Sequence, residues 1–324
     1  DRGGFKSKVL SKIKTGQVHF KYDGNAESLN KFIIENEHIL IESTNRISQK
    51  MRERGGGISN IKLVNKSKEL KSYYQLNVDF NTIDSMGANF INSCLEIISK
   101  KFKELLNYSS QFKESEKNIE VIMSILSNYT PECIVESSVE CKIDDLGEID
   151  GISSKEFALK FKNAFDIANV DIGRAVTHNK GIMNGIDAVL ISTGNDFRAV
   201  EAGVHAYASS KGKYKSLSEC TIIDNIFKIK LKIPLSIGTI GGITDIHPMV
   251  KLSLKLLDNP TSDNLMKIIC SVGLAQNFAA VKSLVTSGIQ KGHMKMHLIN
   301  LLIKQNATKA VSYTHLTLPT MDSV

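Results

Sequence analysis

The amino-acid sequence predicts a mixed α/β protein that contains two domains. Its 324 residues, 42% of them hydrophobic, are enough for a sizeable core and for more than one domain. Up to Pro131 the hydrophobic pattern gives the order helix, strand, strand, helix, strand, which indicates a small α+β domain with an antiparallel sheet. Past Pro131 the pattern changes to a strand, a helix, a glycine-rich apolar stretch and a hairpin.

The elements of the first part follow from its periodicity. Apolar residues recur at helical spacing from Leu29 to Met51, and the triple glycine Gly55–Gly57 ends that helix. The other predicted elements are strands over 58–64, 73–80 and 119–126 and a helix over 84–106.

In the second part, apolar residues alternate with lysines from Phe227 to Ile233, and Asp224-Asn225 forms a plausible turn, so a hairpin is predicted over 221–233. The stretch 170–192 is apolar but interrupted by glycines, and no element is predicted there. The remaining predicted elements are a strand over 134–143 and helices over 154–168, 197–208, 248–257 and 263–288.

Charge and cysteine content narrow the class of protein. A net charge of +7 suits nucleic acid, a polyanionic cofactor or simply a lysine-rich surface, but no long basic block favours nucleic acid. Five cysteines without a CxxC pair disfavour a disulfide framework or a structural zinc site and fit a reducing cytosol. No apolar run approaches the ~18 residues of a membrane span.

The most unusual stretch is 174–187, which places Arg, His, Asn and Lys among apolar residues and glycines. We expect Lys180 to be partly withdrawn from water there, where its ammonium group would stabilise a developing oxyanion. The alternative is an ordinary surface lysine, because most lysines are exposed.

Asp196 follows Lys180 by sixteen positions, after the apolar run 188–191. Its carboxylate is a candidate hydrogen-bond partner that would tune the pKa of Lys180. The competing interpretation is an N-cap for the helix over 197–208, because aspartate is a favoured cap residue.

Two further segments are candidates for chemistry. Asp84–Asn89 opens a predicted helix, whose free N–H groups suit a phosphate, although the segment lacks GxGxxG and an ordinary helix start is the alternative. His293 and His297 have the spacing of a zinc site, but neither an HExxH glutamate nor a cysteine cluster accompanies them, so we expect no metal. His293, next to a glycine, is instead a candidate general acid.

Five segments together resemble the soluble, bacterial-type (class II) 3-hydroxy-3-methylglutaryl-CoA (HMG-CoA) reductases. Their order and spacing fit that family from about Gly3 to about Lys309. The segments are DSMGANFIN (84–92), GRAVTHNKGIMNGID (173–187), GNDFRAVEAG (194–203), GLAQNFAAV (273–281) and GIQKGHMKMH (288–297).

The resemblance implies a role for each matching residue. Lys180 corresponds to the catalytic lysine, Asp196 to the aspartate that hydrogen-bonds it, and His293 to the histidine that protonates the departing thiolate. Arg174 corresponds to the arginine that binds the substrate carboxylate, and Asn184 to a nearby polar contact. The implied dinucleotide-binding residues are Asp84, Met86, Gly87, Asn89 and Asn128.

The implied reaction is the four-electron reduction of HMG-CoA to mevalonate and CoA with two NAD(P)H. A lysine cation polarises the thioester carbonyl for hydride attack, and a histidine protonates the leaving thiolate. The implied partners are this substrate and a second copy of the chain, in a cytoplasmic homodimer with the active site at its interface. Neither nucleic acid nor a membrane is implied.

The implied fold is a large substrate-binding domain with an inserted small, ferredoxin-like dinucleotide-binding domain and a partial C-terminal flap. The boundaries we predict are 1–17 and 128–290 for the large domain, 18–127 for the small domain and 291–311 for the start of the flap. The tail 312–324, SYTHLTLPTMDSV, continues no pattern, and we interpret it as foreign sequence.

The sequence also departs from the family. The catalytic glutamate of these enzymes lies in an ENVIG-type motif that has no counterpart here, so we interpret the chain as a fragment truncated at both ends and expect it to be inactive or badly impaired. Two rival interpretations stay open: a non-catalytic dimerising or nucleotide-binding remnant of the family, and another CoA- or nucleotide-dependent enzyme in which Lys180 forms a Schiff base.

The cofactor preference is predicted from one position. NADH-preferring relatives carry an aspartate seven residues before the triple glycine, where it contacts the adenosine ribose. Ser48 stands at that place here, near Arg46, Lys50 and Arg52. Because an acidic residue repels a 2′-phosphate whereas serine and cations tolerate one, we expect NADPH to be used at least as well as NADH.

Overall fold

The computed structural model describes residues 3–288 and, beyond them, Leu302, Lys304 and Asn306. His293 and the tail 312–324 lie outside the described residues. The described chain forms two four-stranded sheets, each packed against helices. The strands are β1 (Lys6–Val9), β2 (Ile13–Lys21), β3 (Gly57–Asn65), β4 (Tyr73–Asn81), β5 (Glu120–Leu126), β6 (Ile134–Lys142), β7 (Ser218–Ile223) and β8 (Ile226–Pro234).

Eight α-helices connect these strands within the described residues. They are α1 (Ala26–Ser43), α2 (Asn45–Glu53), α3 (Ala88–Tyr108), α4 (Ser154–Val170), α5 (Ile172–Ser192), α6 (Phe197–Ala208), α7 (Pro248–Leu256) and α8 (Ser262–Val285). The mixed α/β class predicted from the sequence is confirmed.

The first sheet has the antiparallel strand order β3-β4-β2-β5. With α1 and α3 the elements run β-α-β-β-α-β along the chain, which is the order of the ferredoxin-like motif. Side chains of β4 alternate between the core and the other face, as a strand that is buried on one side requires. Its core-facing residues are Tyr74, Leu76, Val78 and Phe80.

Three predictions for this region need correction. The helix predicted over 29–51 is two helices, because Thr44 turns its hydroxyl to the carbonyl of Ile41 and ends α1. The central strand β2 was not predicted, since polar residues interrupt its apolar alternation. Helix α3 begins at Ala88 rather than at 84, after Gly87 in the left-handed conformation with φ of 83°.

The second sheet has the order β1-β6-β8-β7, again antiparallel. The predicted hairpin is confirmed as β7 and β8, joined by Asp224 and Asn225 with φ of 50° and 61°. Two successive positive φ values are typical of the type I′ turn that suits a two-residue hairpin. In the sequence, β1 precedes the strands of the first sheet and β6 follows them, yet β1 and β6 pair with each other in the second sheet.

Helix α5 was not predicted, because its three glycines obscure the helical pattern. The structure explains Gly185 by close packing of α5 on α8. A Cβ atom at Gly185 would lie 3.1 Å from the carbonyl oxygen of Val272, and one at Gly273 would lie 2.9 Å from the side chain of Ile186. Small residues at both positions therefore let the two helices approach closely.

Two separate clusters of buried apolar residues accompany the two sheets. One extends from Val18 to Ile119 and the other from Cys133 to Val281. Helix α8 has 24 residues and a mean hydropathy of 1.5 in its most apolar window, enough by length and composition to cross a membrane. It packs against α5 and the second sheet, so the core accounts for its apolar composition.

Phe161 lies at the centre of the second cluster and is fully buried. Its ring lies within 5.6 Å, centroid to centroid, of Phe157, Phe165, Phe227 and Phe278. We expect Phe161→Ala to lower the free energy of unfolding by about 3–5 kcal/mol, because it leaves a cavity among these rings. Urea denaturation followed by circular dichroism measures this, and Tyr108→Ala, at an 86% exposed position, serves as the control. Equal destabilisation by the two variants would contradict the packing.

Candidate active site

A cleft of about 530 Å³ lies between the start of α3 and the turn that precedes α6. It brings together Met86, Gly87 and Asn89 of the predicted dinucleotide segment with Asp196. Lys50 and Arg54 extend from α2 into the same cleft and make it electropositive. Residues that are far apart in the sequence therefore form one site for an anion.

The start of α3 leaves its first backbone N–H groups available. Helices α1, α4, α5, α6 and α8 each have a side chain that caps the first turn, whereas α2, α3 and α7 have none. Its N-cap, Gly87, adopts a left-handed conformation, and a Cβ atom there would lie 2.5 Å from the side chain of Thr82. Free N–H groups and the positive end of the helix dipole suit a phosphate group.

Asp84 does not line this cleft. Its carboxylate accepts a hydrogen bond of 2.7 Å from the backbone N–H of Ser262, at the start of α8, and its carbonyl accepts one of 2.8 Å from Thr239. The structure thus gives Asp84 two contacts within the chain, and its role in binding the cofactor stays a prediction. Through these two hydrogen bonds, Asp84 joins the loop before α3 to α8 and to the segment that follows β8.

Ser48 does not line this cleft either, and its contact with the cofactor stays a prediction. It is 2% exposed, and its hydroxyl faces Thr44 at 3.5 Å rather than the cleft. One face of α2, at helical spacing i, i+3, i+4 and i+7, lines the cleft instead. That face consists of Ile47, Lys50, Met51 and Arg54.

Asn128 is not among the residues that line this cleft. It borders a small void together with Met86 and Gly203, and a Cβ atom at Gly203 would lie 2.6 Å from its carbonyl oxygen. The structure thus places Asn128 next to Met86 of the predicted dinucleotide segment, and its role in binding the cofactor stays a prediction.

Asp196 is the N-cap of α6, as the competing interpretation of the sequence stated. Its carboxylate accepts hydrogen bonds from the backbone N–H groups of Arg198 and Ala199 at 3.1 and 3.3 Å, and the Arg198 side chain lies 3.2 Å away. Partial burial raises the pKa of Asp196, but these hydrogen bonds outweigh it and hold the pKa below its usual value. The carboxylate is therefore ionised and faces the cleft.

A second cavity of about 520 Å³ lies between α5 and α8. It contains the other three predicted site residues, Arg174, Lys180 and Asn184, which lie along one side of α5. Burial lowers the pKa of Arg174. Two cations and an amide in a single cavity suit a ligand with a carboxylate and a carbonyl group.

Lys180 and Asp196 do not meet within the chain. They line different cavities, and twelve residues of continuous helix separate Lys180 from Ser192, a span of about 18 Å. Lys180 is exposed, and its predicted shelter from water is not found in the single chain. The rigidity of α5 is the physical reason, because a lysine side chain cannot reach past its end.

A buried polar network that the sequence pattern did not indicate lies beside this second cavity. His178 contacts the hydroxyl of Ser218 at 2.7 Å, and that hydroxyl donates to Asn277 at 2.9 Å. Burial, helped by the charge of Arg174, lowers the pKa of His178 to about 3, so its ring is neutral at ordinary pH. His178 and Asn277 each occur in a motif quoted above, but only tertiary packing shows that they meet.

Within the described residues, no group of three or more His, Cys, Asp or Glu side chains is placed to hold a metal ion. The predicted general acid His293 and its neighbour His297 lie outside them. The cleft at the start of α3 and the cavity between α5 and α8 are therefore the candidate binding sites of the described chain.

Comparisons with known proteins agree with these motifs. Residues 1–298 match the family profile described as hydroxymethylglutaryl-coenzyme A reductase. The 3-hydroxy-3-methylglutaryl-coenzyme A reductase of Archaeoglobus fulgidus is 33% identical over 310 residues, which cover 95% of this chain and 67% of that protein. A probable reductase of the same name from Borreliella burgdorferi is 37% identical over 78% of this chain and 55% of its own length.

Solved structures show the same fold. The 3-hydroxy-3-methylglutaryl-coenzyme A reductase of Streptococcus pneumoniae superposes with a TM-score of 0.80 at 34% identity, over 99% of this chain and 75% of the other. A structure of the class II reductase of that organism bound to NADPH in open conformations gives 0.78 at 35% identity, over 88% and 74%. Profile, relatives and fold agree, and the chain belongs to the hydroxymethylglutaryl-coenzyme A reductase family.

Proposed function

We propose that this protein reduces HMG-CoA to mevalonate and CoA with two NAD(P)H, as part of a homodimer. The observation that carries the proposal is the electropositive cleft in which Met86, Gly87 and Asn89 face Asp196. Membership of the reductase family supports the reaction, and the chain spans 67% and 55% of the two curated relatives. None of the five cysteines, all of which lie within the described residues, forms a disulfide bond, which supports a cytoplasmic location.

We propose that the two units are the domains of the family. Residues 18–127, which contain the first sheet except the first five residues of β2 and have their own apolar cluster, would be the small dinucleotide-binding domain. Residues 1–17 and 128–290 would be the large domain into which it is inserted, because β1 and β6 pair on either side of it. Residues 291–311 as the start of a flap, and 312–324 as a foreign tail, stay predictions.

The cleft fits a nicotinamide dinucleotide by its donors and charges. The uncapped start of α3 offers backbone N–H groups to a phosphate, and Lys50 and Arg54 balance the remaining negative charge. The bound dinucleotide supplies hydride. Lys50 and Arg54, rather than Ser48, are the residues that we propose favour the 2′-phosphate of NADPH.

The cavity between α5 and α8 is the proposed site of HMG-CoA. Arg174 would bind its free carboxylate, and Asn184 would contribute a further hydrogen bond. Lys180 would place its ammonium group on the thioester oxygen and stabilise the negative charge that develops during reduction. His293 would then protonate the departing thiolate.

We propose that Lys180 and Asp196 meet between two chains. Helix α5 keeps them apart in one chain, yet the family role of the lysine requires a carboxylate partner. An exposed lysine beside an open cavity and an exposed carboxylate at another cleft are complementary surfaces for two copies related by a twofold axis. Each dimer would then contain two composite sites.

Zero-length carbodiimide cross-linking tests this arrangement directly. In an equal mixture of separately produced ¹⁴N- and ¹⁵N-labelled chains that are refolded together, we expect an amide between Lys180 and Asp196 that joins peptides of different isotopic labels. Mass spectrometry of the digest identifies the pair. Lys180→Gln should remove that cross-link alone. A Lys180–Asp196 cross-link confined to peptides of one label would contradict a composite site.

The charges of α2 make a second prediction about cofactor choice. We expect Lys50→Ala with Arg54→Ala to weaken NADPH binding about tenfold and NADH binding less, because NADH lacks the 2′-phosphate. Nucleotide fluorescence titration at low and high salt measures both constants. Arg46→Ala serves as the control, since Arg46 does not line the cleft. An equal loss for both dinucleotides would refute the assignment of these cations.

An assay of NADPH oxidation with HMG-CoA distinguishes the proposed enzyme from a nucleotide-binding remnant of the family. The ENVIG-type glutamate motif is absent from the sequence, and we therefore predict little oxidation of NADPH by the 324-residue chain with HMG-CoA. A chain extended by that motif and the remainder of the flap should turn over, and Lys180→Ala should abolish its activity. Dinucleotide binding without turnover in the extended chain would favour the remnant.

A further inference from the structure

Lys14 is a lysine of β2 that the proposed mechanism does not use. It is only 3% exposed, and its four acceptors among the described residues are all uncharged oxygens. They are the Thr82 hydroxyl at 2.8 Å and the carbonyls of Ser85, Met86 and Ile237 at 2.8, 3.0 and 3.2 Å. An ammonium group has three N–H donors, so these acceptors saturate it.

These acceptors lie on two separate segments of the chain. Residues 82–86 form the loop that precedes α3 and lines the dinucleotide cleft, whereas Ile237 follows β8 of the second sheet. The two segments run against each other so closely that a Cβ atom at Gly238 would lie 2.3 Å from the backbone nitrogen of Met86. Lys14 therefore binds both segments at the point where the first sheet's unit meets the second's.

The loop itself needs to be held in place. Ile83 has a φ of 53°, a left-handed conformation that is strained for a β-branched residue. Such a conformation persists only when surrounding contacts outweigh its cost. Lys14 supplies three of these contacts, one on each side of Ile83 and one further along the loop, and Asp84 supplies another through Ser262.

We propose that Lys14 is a positioning residue for the dinucleotide: its ammonium group holds the loop 82–86 against the segment after β8 and thereby orients the backbone N–H groups at the start of α3. By drawing the carbonyls of Ser85 and Met86 inward, it leaves the N–H groups of the following residues directed at the cleft. Its charge also lies beneath the phosphate site. The nature of the ligand rests on the proposed function, whereas the clamping of the loop does not.

The charge on Lys14 is sensitive to pH. Burial lowers its pKa from 10.5 to about 8, and the titratable groups that act on it are the Cys133 thiol and Lys12. Burial raises the pKa of Cys133 to about 11, so the thiol stays neutral, and Lys12 is paired with Asp263 at 2.7 Å. Above pH 8 the amine loses its charge and one N–H donor, and the hold on the loop weakens.

The contribution of Lys14 to the free energy of unfolding should instead increase with pH, while the hold on the loop weakens. Because the folded-state pKa lies below the unfolded value, the unfolded chain binds more protons between pH 8 and 10.5, and Lys14 makes stability rise across that window. A residue that only filled space would produce neither effect. The opposite trends of loop order and global stability are therefore specific to a buried, titrating lysine.

Hydrogen–deuterium exchange of the full chain tests the clamp. At pH 7 we expect Lys14→Met to accelerate exchange of peptides that cover 82–90 about tenfold, because the variant lacks a charged hydrogen-bond donor. Exchange in β3 should not change. Lys21→Met is the matched control, since Lys21 lies on the same strand and donates to a distant carbonyl, that of Lys71. Unchanged exchange in 82–90, or an equal change in Lys21→Met, would overturn the proposal.

If Lys14→Met fails to fold, the unmodified chain decides the matter. Its exchange in 82–90, corrected for the intrinsic pH dependence, should increase between pH 7 and pH 9.5 while that of β3 does not, and a flat profile would overturn the proposal. Where Lys14→Met does fold, NADPH titration should give an affinity about tenfold weaker than that of the unmodified chain. An unmodified chain that does not bind NADPH but whose loop responds to Lys14 would refute the proposed function and leave the clamp standing.

Discussion

The continuous helix α5 sets the constraint on which the proposed chemistry depends. It places Arg174, Lys180 and Asn184 along one cavity and ends twelve residues after Lys180, so the lysine and Asp196 occupy different sites of the chain. A rigid rod of about 18 Å leaves no way for one chain to join them. This separation is the reason for the proposal that two chains together form the site. The exposure of Lys180, which would argue against catalysis in a monomer, is what such an assembly requires.

The same helix shows how packing sets the position of these residues. Gly185 and Gly273 let α5 and α8 approach closely, and the cavity opens further along α5, beside Lys180 and Gly181. Below it, the neutral His178 contacts Ser218, which in turn donates a hydrogen bond to Asn277, and this network adds no charge. The cations Arg174 and Lys180 thus remain the only charged groups among the described residues that line this cavity.

The dinucleotide cleft depends on contacts that cross between the two units. Its loop is held by the second sheet's unit through Asp84 and Ser262, and Lys14 reaches both the loop and Ile237. Because the strained loop and the start of α3 are contiguous, any force that orders one also orients the other. Binding of an anion and the relative placement of the two units are therefore physically linked.

Local sequence pattern determined much of this protein: the hairpin at Asp224-Asn225, the cap at Asp196, most helices and the five motifs that indicate the family. These depend on residues close together in the chain, whose periodicity and turn chemistry act locally. Only the tertiary structure decided that Ser48 and Asp84 face away from the cleft, that α2 contributes Lys50 and Arg54, and that Lys180 is remote from Asp196. Those outcomes depend on the rotation of each helix about its axis and on its rigid length, which are set by packing between distant segments.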